Sequence, residues 1–129
     1  PKSSTNVYSG VINKFIDSFL KKKTLKIFSD GKQTRSFIYI SDVIRAFVLS
    51  AESKIKNEVL NVGNSKSISI NSLASYFKVP QKYFKRKKGD IEFSKSNINK
   101  IYKLVKWKPI VSLKDGLKFT LNYKKRRKL

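Results

Sequence analysis

The chain has no cysteine and no histidine. The first absence excludes a disulfide framework and any thiolate metal site, and makes the cytosol the default compartment. The second removes imidazole acid–base pairs and the usual zinc motifs. Glycine is scarce: the five glycines stand at 10, 31, 63, 89 and 116. No two are close enough to form the strand-to-helix turn on which a dinucleotide pyrophosphate rests, so the chain carries no such fingerprint of its own. No apolar run approaches the roughly 18 residues that span a bilayer, and no signal peptide is recognisable; a membrane is not expected as a partner. The chain starts at Pro1 and not at Met, as a fragment or a trimmed chain would. Acidic residues are also few, 8 against 30 Lys+Arg, for a formal net charge of +22.

What is present is enough for one domain. A chain of 129 residues that is 40% hydrophobic can bury a real core and is no disordered polycation. A pI near 10.3 points to a nucleic acid, an anionic membrane or a phosphorylated ligand. The lysines are spread over nearly the whole chain without a single block, and Ile and Asn are abundant too. An A/T-biased coding sequence produces that background, with Lys filling solvated positions. The five arginines, at 35, 45, 86, 126 and 127, are more informative. Arg35 lies in "SDGKQTRSFIYISDV", residues 29–43.

The pattern is mixed α and β, with more helix than strand. Val11, Ile12, Phe15, Ile16, Phe19 and Leu20 recur at helical spacing and predict an amphipathic helix over 10–22. "TLKIF" (24–28) reads as a strand, "SDGKQ" as a turn in which Gly31 takes positive φ, and "SFIYI" (36–40) as a second strand. Ser41 or Asp42 is expected to cap the next helix, with Val43, Ile44, Phe47, Val48 and Ala51 as its apolar face. "EVLNVG" (58–63) reads as a buried strand and "SISI" (67–70) as an edge strand. Asn71 or Ser72 then opens a helix through Leu73, Ala74, Tyr76 and Phe77. After Pro80, "QKYFKRKKGD" (81–90) reads as a basic loop. Residues 94–105 are expected to be helical with Ile98, Ile101, Tyr102 and Val105 inward. Ser112 and Asp115 form a capping-box pattern opening a last helix with Leu113, Leu117 and Leu121 on one face. The basic end, 124–129, reads as a frayed tail.

Two Tyr-x-x-x-Lys spacings occur, Tyr83 to Lys87 and Tyr102 to Lys106. On a helix that spacing places a cation where it can lower a phenol pKa for proton transfer. In so lysine-rich a chain chance supplies such matches, and Tyr83 falls in the expected loop. Neither is taken as a catalytic pair, and no catalytic residue is assigned.

The opening stretch also carries a family resemblance. "SDGKQTRSFIYISDVIRAF" resembles the G-D-G-x-Q-x-R-D-F-x-Y-V-x-D-V-x-x-A segment of extended short-chain dehydrogenases/reductases, the NAD-dependent nucleotide-sugar epimerases, dehydratases and decarboxylases typified by UDP-glucose 4-epimerase. "YSGVINKFI" (8–16) is similar to their helix after the substrate loop. "EVLNVGNSKSISINSLA" (58–74) resembles their last sheet strand and following helix. "KKGDIEFSKSNINKIYKLVKWKP" (87–109) resembles R-x-G-D-I-x-x-S-x-A-D-I-x-K-A-x-x-L-G-W-x-P, and "SLKDGLKFTLNY" (112–123) the closing helix. The five segments occur in the family's order and span nearly the whole chain. The resemblance implies an α/β fold, the C-terminal, substrate-binding portion of an extended Rossmann-type epimerase over 1–129. The N-terminal dinucleotide-binding half, with the catalytic Tyr/Lys, is not among the matched segments.

The resemblance also implies a nucleotide-sugar site, with a UDP-sugar as the expected ligand. Arg35 stands where the family grips the diphosphate, a role that suits a planar fork better than a lysine point charge. Phe28 and Phe37 match positions where an aromatic lies against the base. Lys26 matches a backbone contact to the base, and Ile70 an apolar contact near the nucleoside. Asp90 matches an acid that bonds the ribose hydroxyls or orders its loop. Lys87 stands at the second diphosphate arginine, with Arg86 one residue away. Further departures are Ser29 for the first glycine of G-D-G, Ser36 for the acid of R-D-F, Asn97 for the acid of A-D-I and Lys106 for the glycine of L-G-W.

Two functions follow. In the first, the chain is the sugar-nucleotide-binding part of an NAD-dependent epimerase or dehydratase, inactive alone, with no cofactor of its own and a missing Rossmann half or a homodimer mate as partner. In the second, the same scaffold is a basic module for nonspecific nucleic-acid or anionic-surface binding. Its contacts would lie at 81–88 and 124–128, with Tyr83 and Phe84 stacking on bases.

Overall fold

A computed structural model describes residues 10–86 and 88–127. In chain order the elements are α1 (Val11–Leu20), β1 (Leu25–Phe28), β2 (Thr34–Arg35), α2 (Ile40–Glu52), β3 (Ile68–Ser69), α3 (Ile70–Ser75), β4 (Gln81–Phe84), α4 (Asn99–Val105) and α5 (Leu113–Arg126). Where the sequence reads as one domain, the chain divides into two compact units. Among the described residues, one comprises 10–33, 68–86 and 88–92, the other 34–67 and 93–127.

In the first unit the stripe on α1 behaves as its spacing predicts. Phe15 and Ile16 are buried, and the rings of Phe15 and Phe19 pack on Phe77 at 5.8 and 5.9 Å. Beside them β1 alternates, with Leu25 and Ile27 fully buried and Lys26 exposed. Its partner is β4, parallel and in register from Leu25 opposite Gln81 to Phe28 opposite Phe84. Residues 81–84 are therefore a strand and not part of a loop. Their own pattern hardly announces it, since three of the four are exposed. The strand is recruited by the backbone of β1, a non-local pairing that begins where the Leu25 N–H donates to the Pro80 carbonyl at 2.9 Å. The expected edge strand at 67–70 shrinks to two residues. Ser69, not Asn71 or Ser72, caps α3, its hydroxyl accepting the Ser72 N–H at 3.0 Å. Tyr76 lies beyond the helix and half-exposed, while Phe77 is buried.

The second unit is built around Trp107, Ile101 and Ala46, with Ile38, Leu49, Leu60, Val62, Ile98 and Val105 packed on them. Here several expectations change. Residues 36–40 form no strand: α2 starts at Ile40 behind Tyr39, and no side chain caps it. Asp42 instead sits in the first turn, fully buried. The inward face of α2 is Asp42 and Ala46, not the apolar run at 43, 44, 47, 48 and 51, most of which faces solvent. Residues 58–63 form no strand among the described residues. The helix expected from 94 begins at Asn99, and Tyr102 is half-exposed and not inward. The capping box at the start of α5 is present, with the Ser112 hydroxyl accepting the Asp115 N–H at 3.1 Å. Of the expected face on α5, Leu117 is buried and Leu113 and Leu121 are half-buried. The helix continues to Arg126, so Lys124, Lys125 and Arg126 form its last turn and not a frayed tail. There they complement the negative end of the helix dipole. Residues 128–129 lie outside the described residues.

Two of the departures from the family's glycines fall at left-handed backbone. Ser29 has φ 61° and Lys106 φ 55°, the latter as the C-cap of α4. An L side chain there costs about 1–2 kcal/mol, partly offset by the extra unfolded-state entropy of glycine. Ser29→Gly is expected to stabilise the fold by about 0.5–1 kcal/mol. Lys106→Gly should gain less, because Lys106 Nζ lies 5.8 Å from the Tyr102 ring centre, a contact worth about 0.5 kcal/mol at an exposed site. Urea titration of the two variants gives the comparison; a lower midpoint for Ser29→Gly would refute the strain argument.

Candidate functional site

The end of β1 places Phe28 and Lys26 on one face of the strand pair. The Phe28 ring lies 5.9 Å from that of Phe84, tilted by 41°. Lys26 and Lys82, directly opposite each other, each hold an ammonium 5.7 Å from the centre of the Phe84 ring. Two rings and two cations therefore share one surface, a combination suited to a flat anionic ligand.

The turn that follows is fastened from several sides. The Gln33 side chain donates to the Phe28 carbonyl at 2.7 Å, and the Asp30 carboxylate accepts the Lys32 N–H at 3.0 Å. Ile70 and Asn71 donate their backbone N–H groups to the Gln33 and Gly31 carbonyls. The Asn71 side chain reaches the Asp30 carbonyl at 2.9 Å and accepts from the Tyr83 hydroxyl at 3.2 Å. Gly31 adopts the expected positive φ, 72°, and a Cβ there would meet the Asn71 amide at 1.9 Å. Of the other residues expected at the site in this unit, Ile70 is buried in the core. Asp90 is half-buried, and its carbonyl accepts from Arg86 Nη2 at 2.9 Å. Arg86 is engaged again by Glu92 at 2.7 Å, so its fork is already in use. Lys87 lies outside the described residues.

In the second unit Arg35 is half-buried on β2, with Nη1 donating to the Thr34 carbonyl at 2.8 Å. Phe37 is half-buried, and its carbonyl accepts from the Asn64 side chain at 3.2 Å. Ser36 replaces the family acid with a hydroxyl that donates to the Asn64 carbonyl at 2.6 Å and accepts the Asn64 N–H at 3.2 Å. Asn64 thus fixes the segment that carries Arg35 and Phe37. Gly63 before it is a close approach, since a Cβ would meet the Ser96 hydroxyl at 2.1 Å.

Asp42 organises the rest of this unit. Its carboxylate accepts the Ile110 N–H at 3.1 Å, the Val111 N–H at 3.0 Å and Arg45 Nη2 at 3.1 Å. Its carbonyl accepts the Trp107 indole N–H at 2.9 Å, and Arg45 also donates to the Lys108 carbonyl. Burial opposes ionisation, but the two backbone donors and Arg45 outweigh it and hold the carboxyl below its usual range.

Sequence reasoning missed Asn64, placed Phe84 and Lys82 in a basic loop rather than beside Phe28 and Lys26, and gave Asn71 and Asp42 only capping roles. The signal for Phe84 was the Lys-x-Phe alternation shared by 26–28 and 82–84. For Asp42 it was an acid directly ahead of an apolar run, in a stretch without lysine.

Residues 1–63 match the model of the NAD dependent epimerase/dehydratase family. The chain is 35% identical over 121 residues to a UDP-glucuronate 4-epimerase of Thermodesulfobacterium geofontis, covering 88% of this chain and 37% of that protein. It is 30% identical to a UDP-N-acetyl-alpha-D-glucosaminuronate decarboxylase of Bacillus cytotoxicus, over 95% of this chain and 42% of that one. The crystal structure of a Thermotoga maritima UDP-glucose 4-epimerase with UDP-glucose superposes with a TM-score of 0.86 at 32% identity, over 96% of this chain and 42% of that one. The chain is similar to proteins of the NAD-dependent epimerase/dehydratase family. It spans about 40% of the length of the curated relatives it matches, and corresponds to the C-terminal portion of the epimerase fold.

Solved epimerases of this family hold NAD. The described residues of this chain do not fit that role: β1 leads through its glycine turn to β2 and not to a helix, while β3 runs into α3 with no glycine between them. No residue here is assigned to the dinucleotide. Among the described residues no cluster of acids could hold a metal ion, and no helix is long and apolar enough to cross a membrane.

Proposed function

We propose that this chain supplies the nucleotide-sugar-binding part of an NAD-dependent sugar epimerase or dehydratase, with a UDP-sugar as ligand. The observation that carries the reading is the surface made by Phe28, Phe84, Lys26 and Lys82. Its rings offer a face to a base and its ammonium groups neutralise phosphate. Asp90, in the same unit, is the acid toward the ribose; in the second unit, taken by itself, Arg35 is a candidate phosphate ligand and Phe37 a candidate aromatic contact, from the family positions they match. The proton-transfer pair and the hydride acceptor belong to the part of the family fold this chain does not span, so the chain alone binds and does not turn over. The nucleic-acid reading places its contacts at 124–128 and in a basic loop at 81–88. A strand at 81–84 and an Arg86 committed to Glu92 leave less of it to follow a phosphate backbone.

Calorimetric titration of the 129-residue chain with UDP tests the proposal. Binding is expected, weakened about tenfold by Arg35→Lys, which keeps the charge and loses the fork. The reading fails if UDP binds no better than inorganic phosphate. Turnover of a UDP-sugar by the chain with added NAD would refute the claim that it acts only in binding.

A further inference from the structure

The last helix carries a pattern on its outer side that packing does not use. Gly116 and Leu117 are buried and Leu113 and Leu121 half-buried, so the apolar side of α5 faces inward. Two rows at four-residue spacing face out. Phe119, Tyr123 and Arg127 form one, and Lys118, Asn122 and Arg126 the other, all of them exposed. Successive members of a row stand about 6 Å apart along the axis, a distance that the backbone of one nucleotide spans when extended.

Both rings are held in place. Phe119 packs on Tyr39 with ring centres 5.5 Å apart. Tyr39 in turn rests over Gly116, where a Cβ would come within 3.3 Å of its ring. The Arg127 guanidinium lies 5.5 Å from the centre of the Tyr123 ring, and its Nη1 donates to the Tyr123 hydroxyl at 3.0 Å. The charge is one-sided. Asp115 is the only acid after Glu92 in the sequence, and it stands in the first turn of α5, where its carboxylate accepts from the Ser112 hydroxyl. From Lys118 onward the helix has cations and no acid.

We infer that the outer face of α5 binds single-stranded nucleic acid, through chemistry that RNA and DNA share. Phe119 and Tyr123 offer ring faces to unstacked bases, and Lys118 and Arg126 neutralise phosphates. The site is an ordered helix of the second unit and not the basic loop of the first. Exposed rings favour a single strand over a duplex, whose bases are already stacked on one another. An anionic membrane fits less well, because a helix lying in an interface turns its broad apolar side to the lipid, and the leucines of α5 face inward. A second copy is disfavoured by like charge, +22 on each. The face uses no residue assigned to the nucleotide-sugar, and the inference does not depend on that reading.

The test is fluorescence anisotropy of the 129-residue chain with labelled oligouridylate and oligothymidylate of about 12 nucleotides, titrated over a range of salt. Both should bind. Tyr123→Ala should weaken binding about tenfold without changing its salt dependence, and Tyr123→Phe should restore it, since stacking needs the ring and not the hydroxyl. Lys118→Gln combined with Arg126→Gln should instead lower the slope of log Kd against log salt by about 1.4, as two phosphate contacts are lost. Wild-type affinity in Tyr123→Ala would overturn the inference, because charge alone would then account for binding. So would equal affinity for a duplex of the same length, for polyglutamate or for phosphatidylserine vesicles. Displacement of the strand by excess UDP would also overturn it, by placing the strand on the nucleotide-sugar surface and not on α5.

Discussion

Asp42→Ala should cost about 3–5 kcal/mol, a large share of the 5–15 kcal/mol that holds a domain together. The carboxylate accepts two backbone N–H groups of the 110–111 segment and the Arg45 guanidinium, and water cannot replace it at a fully buried position. Removing it strands the Ile110 and Val111 donors and leaves Arg45 without its anion. The sole tryptophan, Trp107, donates to the Asp42 carbonyl and reports the change. Its emission should shift to the red in the variant as the 107–111 segment loosens. The sign of the pH dependence follows from the depressed pKa. Because the folded carboxyl binds its proton less readily than the unfolded one, its contribution is complete above the unfolded value of about 3.9 and is lost as pH falls through the folded one. The difference in stability between wild type and Asp42→Asn should therefore shrink as pH is lowered from about 5 to below 3. A difference that stays constant over that range would mean that the charge contributes nothing.

Trp107→Ala is expected to cost a similar amount, about 3–5 kcal/mol, by a different route. The side chain is fully buried against Ala46 and Ile101, with Ile38, Leu49, Leu60, Val62, Ile98 and Val105 around it. Alanine leaves a cavity that α2 and α4 cannot close without moving. Trp107→Phe separates packing from polarity: it keeps most of the volume, loses the indole N–H, and should cost about 1–2 kcal/mol. Circular dichroism in urea measures both variants, since fluorescence is lost with the indole. The double variant Asp42→Ala, Trp107→Ala should be less destabilised than the two single costs added, because each removes support the other needs. Full additivity would show that the two residues act separately.

The family was legible because it is written in local segments. The turn at 29–33, the capping Ser112 and the stripe on α1 are each specified by residues within about one helical turn of one another. They read the same in a sequence as in a fold. Phe28 and Lys26 could be marked as candidates on the same basis. Their pairing with Phe84 and Lys82 could not, because β1 and β4 are separated by more than fifty residues and neither strand's own pattern names the other. Asn64 was hidden for a like reason: its bonds to Ser36 and Phe37 cross 28 and 27 residues.

The α2 helix shows the limit most directly. Its periodicity announces an apolar stripe and is right about the stripe. Periodicity carries no information about which side meets the core when both sides can. The choice fell to Asp42, whose carboxylate is satisfied only by turning toward the 107–111 segment, and this leaves Ile44 and Phe47 facing out. By itself, then, the sequence determined the family resemblance, the mixed α/β class, the positions of most helices and the lack of a glycine pair close enough for a dinucleotide turn. All of these depend on short-range spacing and on which residue types are present. The tertiary structure decided the β1–β4 pairing, the orientation of α2 and the buried role of Asp42. Each of these depends on bonds between residues far apart in the chain, whose partners are chosen only when the backbone brings them within reach.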